Sequence, residues 1–309
     1  MPKKIFFLVF VAPLLLVRIS QAQNEKLAYH ASILFDEEGK RLGGPTLVVA
    51  DPVMKEIYVV DRSRIIIYNS HLFPLFTLGA GRRVVAPEGM AIDKDGNLFV
   101  SQPPLKNGDP PRISVFNACL RWVRDIPIKD PGAAAQQFVP GRLALDSRDN
   151  IYVTSPYYPG VLVLNREGAT INFITLGGGE RDKGINGIFI DKDDRLYLLS
   201  GDAGSVFVYG KDGKFLYRFG ELTGTTGGLS RPVGVGVDQS DWDSYIIDYN
   251  RQALLAYGPT GKFDYEIGGM GTGHGWFNFP WDITVDWKGR VFVADTFNQR
   301  VEVYKPVAQ

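Results

Sequence analysis

Glu88, Asn186 and Asp282 are the oxygen-bearing side chains around which a chemical site would be built. Each stands four or five residues ahead of an aspartate that closes a short strand in an internal repeat (Asp93, Asp191 and Asp286). If the repeats are arranged around an axis, these residues meet at one mouth of a central channel. There they would act as hard oxygen ligands for Ca²⁺, and a bound Ca²⁺ would support a hydrolase or a lyase. Arg142 and Trp281 occupy the same two positions in the third and sixth repeats. Three oxygens fall short of the ~6–8 that Ca²⁺ takes. The preferred reading is therefore a polar channel mouth with Arg142 paired to Glu88 or Asp282 and no resident cofactor.

Other chemistry finds less support in the residues. Gly-x-Ser-x-Gly is absent, so no nucleophile elbow is indicated. Cys-x-x-Cys-His is absent too, so a role beside envelope redox proteins would be that of an accessory without its own haem. Cys119, the only cysteine, lies in the apolar stretch Phe116–Leu120 and is expected to be buried and inert. The loops are more suggestive. Ser155-Pro156-Tyr157-Tyr158-Pro159-Gly160 is aromatic and stiffened by proline, Gln102–Pro111 is an insertion, and Lys129–Phe138 is extended. Loops on a rigid scaffold concentrate binding residues, so Tyr157 and Tyr158 join Glu88, Arg142, Asn186, Trp281 and Asp282 as candidate ligand contacts. Trp276, Phe277, Phe279 and Trp281 form a further aromatic patch beside His274, which is read as an exposed linker residue.

The elements that must position these residues follow from the repeat. Six aspartates, Asp51, Asp93, Asp146, Asp191, Asp238 and Asp286, recur at spacings of 42, 53, 45, 47 and 48 residues. Each follows an apolar strand such as Leu47–Ala50 or Ile283–Val285. Each precedes a polar turn and an aromatic-rich strand such as Ile57–Val60 or Val291–Val293. A third strand and usually a fourth complete the unit. Four short strands at this period predict a propeller blade, and six units predict a six-bladed all-β propeller of antiparallel four-stranded blades. The sixth unit lacks room for a fourth strand, and an unpaired strand, Tyr29 to Phe35, precedes the first. It is expected to complete the last blade and close the ring.

Asp295-Thr296-Phe297-Asn298-Gln299-Arg300-Val301 and Asp248-Tyr249-Asn250-Arg251 resemble the NHL-repeat motif, as does the lead-in Gly271-x-Gly273-x-Gly275-x-Phe277-x-x-Pro280. The likeness is to six-bladed NHL propellers of the exported bacterial type. It spans most of the chain but is degenerate at Ser101-Gln102, Thr154-Ser155 and Leu199-Ser200. The resemblance implies the fold and leaves the activity open. Other six-bladed propellers, the gluconolactonase-like and paraoxonase-like enzymes, hold a metal near the mouth. The peptide-amidating lyases use three histidines for zinc, but His30, His71 and His274 do not occupy equivalent positions here. Asp248, Asp295, Asn298 and Arg300 recur with the blade and are read as structural.

The chain has 309 residues, with Lys+Arg and Asp+Glu both at 34, so no net field favours nucleic acid. Lys3 and Lys4, the apolar run Ile5–Val17, and Ser20-Gln21-Ala22 read as a cleaved secretory signal over residues 1–22. The run is shorter than the ~20 residues of a spanning helix, so no membrane span is expected after cleavage. The expectation is a single propeller over residues 23–309, exported to a periplasm or the cell exterior. Its expected role is a non-enzymatic binding or scaffold protein for a protein or other envelope ligand.

Overall fold

The computed structural model describes residues 26–103, 111–129, 138–156, 158–177, 179 and 184–307. The segment 1–22, Tyr157, and most of the 102–111 and 129–138 loops lie outside the described residues. Six four-stranded antiparallel sheets form a ring, as the repeat predicts. Their inner strands are Pro45–Asp51, Gly89–Ile92, Leu143–Leu145, Gly187–Ile190, Pro232–Val237 and Pro280–Val285, for blades 1 to 6. Each of the first five blades then runs outward in chain order.

The second strands are apolar without alternation because both of their faces are covered. Leu98–Gln102, Leu196–Ser200, Ser244–Asp248 and Val291–Asp295 are buried at every residue. The core accordingly divides into six clusters, one at each junction between neighbouring blades. Leu47, Tyr58 and Val60 of blade 1, for instance, meet Met90, Leu98 and Val100 of blade 2. Outer strands face water on one side, as the pattern of Phe215–Phe219 shows.

Closure is made by the N-terminal strand, which runs Leu27–Ile33, two residues earlier than the alternation suggested. It pairs antiparallel with Arg300–Pro306, placing Leu27 against Pro306 and Ile33 against Val301. Phe35 instead bridges to Arg41 in the following loop. Ile33 also joins the cluster between blades 6 and 1, with Phe292, Val48 and Val59. At the other end of the strand, Lys26 ion-pairs with Asp243 and Asp264, and the Val307 N–H donates to the Lys26 carbonyl.

Turns joining first to second strands, and third to fourth, share one face, the turn face. Linkers between blades and the loops joining second to third strands share the other, the linker face. On the turn face the six aligned aspartates act as turn formers. Asp93 Oδ1 accepts the N–H groups of Asp95 and Asn97 at 3.0 and 2.9 Å, and Asp286 Oδ1 accepts those of Lys288 and Arg290 at 2.8 and 2.9 Å. Gly96 and Gly289 supply the left-handed residue of their turns. Lys55, Asp149, Asp194 and Trp242 take it in the other blades. Cys119 departs from expectation: it is exposed in a turn after Phe116, where Asn117 Oδ1 accepts its N–H. An apolar stretch is cut short there by an asparagine that folds the backbone onto its own side chain.

Truncating the closing strand's buried anchor should weaken the ring. Ile33→Ala is expected to cost about 2–5 kcal/mol in urea melts, whereas Ile171→Ala, on an exposed outer strand, should stay within about 0.5 kcal/mol. Equal effects would show that the N-terminal strand does not bear on global stability.

Candidate ligand-binding site on the linker face

The mouth of the channel on the linker face is narrow because small residues line it. A Cβ on Gly89 would lie 2.2 Å from the Gly141 carbonyl oxygen, and one on Gly234 would lie 3.1 Å from the Asp282 Cα. Inner strands can therefore approach closely there, and the two large polar side chains at this level belong to opposite blades. Arg142 reaches from blade 3 to blade 6. Its Nη1 lies 3.2 Å from Asp282 Oδ1, and its Nη2 donates to the Trp281 carbonyl at 3.4 Å. The Val48 N–H of blade 1 donates to Asp282 Oδ2 at 2.9 Å. One ion pair thus spans the ring and ties three blades. Burial pushes the Asp282 carboxyl above its ordinary range, while Arg142 and the Val48 N–H oppose that shift.

Of the seven expected contacts, the structure brings Arg142, Trp281 and Asp282 together. Glu88 and Asn186 are exposed at the rim of their own blades. The Glu88 N–H donates to the Ser101 carbonyl, and Asn186 Oδ1 accepts the Gly201 N–H at 2.6 Å. Tyr158 is half-buried, edge-on to Phe138 of the preceding linker and 5.0 Å from Phe173, and it packs against the cluster between blades 2 and 3. Among the described residues no three His, Cys, Asp or Glu side chains converge. Seating a cation on Asp282 would require Arg142 to withdraw, since both carboxylate oxygens already have partners.

Phe279 and Trp281 of the expected aromatic patch join Tyr249 and Phe297, which the sequence reading did not single out, in an aromatic run that leads away from this mouth. Trp281 meets Tyr249 edge-on at 5.3 Å, Tyr249 lies over Phe279 at 4.8 Å, and Phe279 meets Phe297 edge-on at 5.2 Å. The Arg231 guanidinium sits 4.6 Å above Tyr249. Phe297, at the outer end, is 63% exposed. Tyr249 follows the strand-ending Asp248 by one residue and Phe297 follows Asp295 by two, and that proximity was the available signal. A residue one or two places past such an aspartate must sit in the loop on this face.

The strand-ending aspartates position these loops. Asp248 accepts the Ser230 and Arg231 N–H groups, at 2.7 and 2.9 Å through Oδ2, and Asp295 Oδ1 accepts that of Asn278 at 2.7 Å. Arg300 donates to Asp295 and to the Thr272, Gly273 and Trp276 carbonyls, fixing the linker ahead of blade 6. The structural reading of Asp248, Asp295 and Arg300 agrees with these bonds, and so does that of Asn298, whose amide donates to Asp295 Oδ2 at 2.7 Å and to the Gly271 carbonyl at 2.9 Å. Degenerate blades keep the task with other residues. Gln102 Oε1 accepts the Val85 N–H at 2.6 Å, and Ser155 Oγ accepts the Val139 N–H at 3.2 Å. His274 is exposed on the linker, as expected, and also stacks on Tyr29 at 4.1 Å with Nδ1 3.4 Å from Glu302.

Residues 277–304 match the model of the NHL repeat, and the chain is a six-bladed β-propeller carrying that repeat. No curated protein matches the sequence. Among solved structures, a Bacteroides thetaiotaomicron protein of unknown function is similar at 16% identity, covering 91% of this chain and 76% of its own, with a TM-score of 0.68. Virginiamycin B lyase from Staphylococcus aureus is similar at 11% identity, covering 91% and 99%, with a TM-score of 0.62. An auxiliary nutrient binding protein from B. thetaiotaomicron is similar at 11% identity, covering 90% and 76%, with a TM-score of 0.67. At such identities the likeness establishes the shared propeller fold.

Breaking the axial pair from either side strands a buried charge. Arg142→Met or Asp282→Leu alone should cost roughly 3–5 kcal/mol, and the double substitution should recover most of the loss. Additive losses in a thermal or urea double-mutant cycle would show that the two side chains are not coupled.

Proposed function

We propose that this chain is an exported binding propeller without chemistry of its own, which holds a protein or other envelope ligand on its linker face. The observation that carries this reading is the run Trp281–Tyr249–Phe279–Phe297, capped by Arg231. Aromatic rings held at rigid strand ends, three half-buried and Phe297 exposed, supply contact area at small entropic cost, and such anchors dominate binding surfaces. Two of the three candidate oxygen ligands are already committed to the fold, Asp282 to Arg142 and Val48 and Asn186 to Gly201. A solved propeller described as a nutrient binding protein shares the architecture, which is compatible with this role. Export rests on the signal read in residues 1–22. Among the described residues no helix is long and apolar enough to cross a membrane.

The competing reading is a Ca²⁺-dependent hydrolase or lyase acting through Glu88, Asn186 and Asp282. Its support is that virginiamycin B lyase is built on the same fold. That reading asks Arg142 to leave Asp282, which would make metal binding compete with the axial pair.

Two experiments separate the readings. In pull-downs from envelope extract, Phe297→Ala and Tyr249→Ala should each reduce capture of the retained ligand about tenfold or more, the usual scale for aromatic anchors. Capture undiminished by both would move the interface elsewhere. Metal analysis of the purified protein with a lactone and ester hydrolysis screen addresses the alternative. Stoichiometric Ca²⁺ together with turnover abolished by Glu88→Gln would replace the binding reading with an enzymatic one.

A further inference from the structure

The channel itself offers a second site, on the opposite face from the aromatic run. A cavity of about 750 Å³ follows the ring axis. Its lining stops at Arg142 and Asp282 on the linker side. On the other side it reaches Lys192, Ser240 and Lys288, which are exposed residues of the first-to-second-strand turns. Among the described residues the cavity is therefore a well, floored by the axial ion pair and open on the turn face. Its depth corresponds to about four strand residues, Leu47 to Ala50 in blade 1, or roughly 13 Å.

The wall chemistry is that of strand edges. All six inner strands are terminal strands of their sheets, so their inward edges meet no neighbouring strand. N–H and C=O groups consequently alternate down the well, between small or apolar side chains such as Val49, Ala91, Ala144 and Val235. The Val48 N–H shows what these edges require, since near the floor it takes a carboxylate oxygen of the opposite side of the seam as its acceptor. At the floor, Arg142 and Asp282 form a buried ion pair, Nη1 to Oδ1 3.2 Å, that closes the well with polar groups.

We propose that the well binds the end of an extended peptide, four or five small residues long, entering from the turn face. A peptide repeats its donors and acceptors with the period of a strand edge, so it can pair with one wall over its full depth. An alkyl chain of the same length would displace water from those groups without offering them partners, which is unfavourable. Small side chains on the peptide fit a well whose walls already carry Val and Ile. Between the floor and the strand ends the walls carry no charge; Asp286, paired with Arg290, and Asp238, which accepts from Ser240, lie just inside the rim, so selection in the depth of the well falls on backbone pairing and size.

The test uses the full chain and fluorescence anisotropy. The probe is a synthetic pool of pentapeptides of Gly, Ala, Val, Ser and Thr, joined at one end through a flexible linker to fluorescein. Peptides recovered from the pool should bind, and N-methylation at alternate residues should weaken them at least tenfold. Ala144→Phe, which fills the well, should do the same, and Phe297→Ala on the other face should leave binding unchanged. The N-methylated control needs no variant and stands if Ala144→Phe fails to fold. The proposal is overturned if methylated and unmethylated peptides bind alike, if only a dodecyl-fluorescein probe binds, or if no member of the pool binds.

Discussion

Each sheet of this ring is apolar on both faces, and that single constraint governs everything else. A blade standing alone would expose its second and third strands, so stability comes from six interfaces formed together. A linear array would leave two such faces uncovered. Closing the ring removes them, and closure depends on one strand borrowed from the far end of the chain. The position of Ile33 in the cluster between blades 6 and 1 shows that the borrowed strand contributes packing as well as backbone pairing.

The loops inherit their positions from this arrangement through a short-range device. A carboxylate at the end of the second strand collects the N–H groups of the linker that has just delivered the blade. Asp61 does this for Gly43 and Gly44, and Asp248 and Asp295 do it for the linkers ahead of blades 5 and 6. Where the aspartate is missing, Gln102 or Ser155 presents an acceptor from the same place. What repeats is an acceptor of hydrogen bonds at a given point on the blade, and the side chain supplying it varies.

This explains which parts of the molecule were legible in the sequence. Spacing of the strand-ending aspartates is a property of the chain alone, so blade number, strand order and closure could be read directly. Register could not: alternation over Tyr29–Phe35 fits equally well two residues earlier, and only pairing with Pro306 and Val301 decides it. The coupling of Arg142 to Asp282 was open because Glu88 was an equal candidate until the third and sixth repeats were placed opposite one another. Tyr249 and Phe297 escaped notice because they sit inside the motif that marks the repeat, where attention falls on the aspartate beside them. Cys119 was misplaced for a local reason, since one asparagine side chain outweighed an apolar context.

The pairing of Leu27 with Pro306 has a consequence for orientation. Lys26 and Val307 sit side by side on the turn face, joined by a backbone hydrogen bond. Anything attached to either end of the ring therefore leaves from one point, beside the opening of the axial well. The aromatic run of blades 5 and 6 points the opposite way. A particle, surface or fused domain holding this propeller by its ends would display those rings outward and keep the mouth of the well turned towards itself.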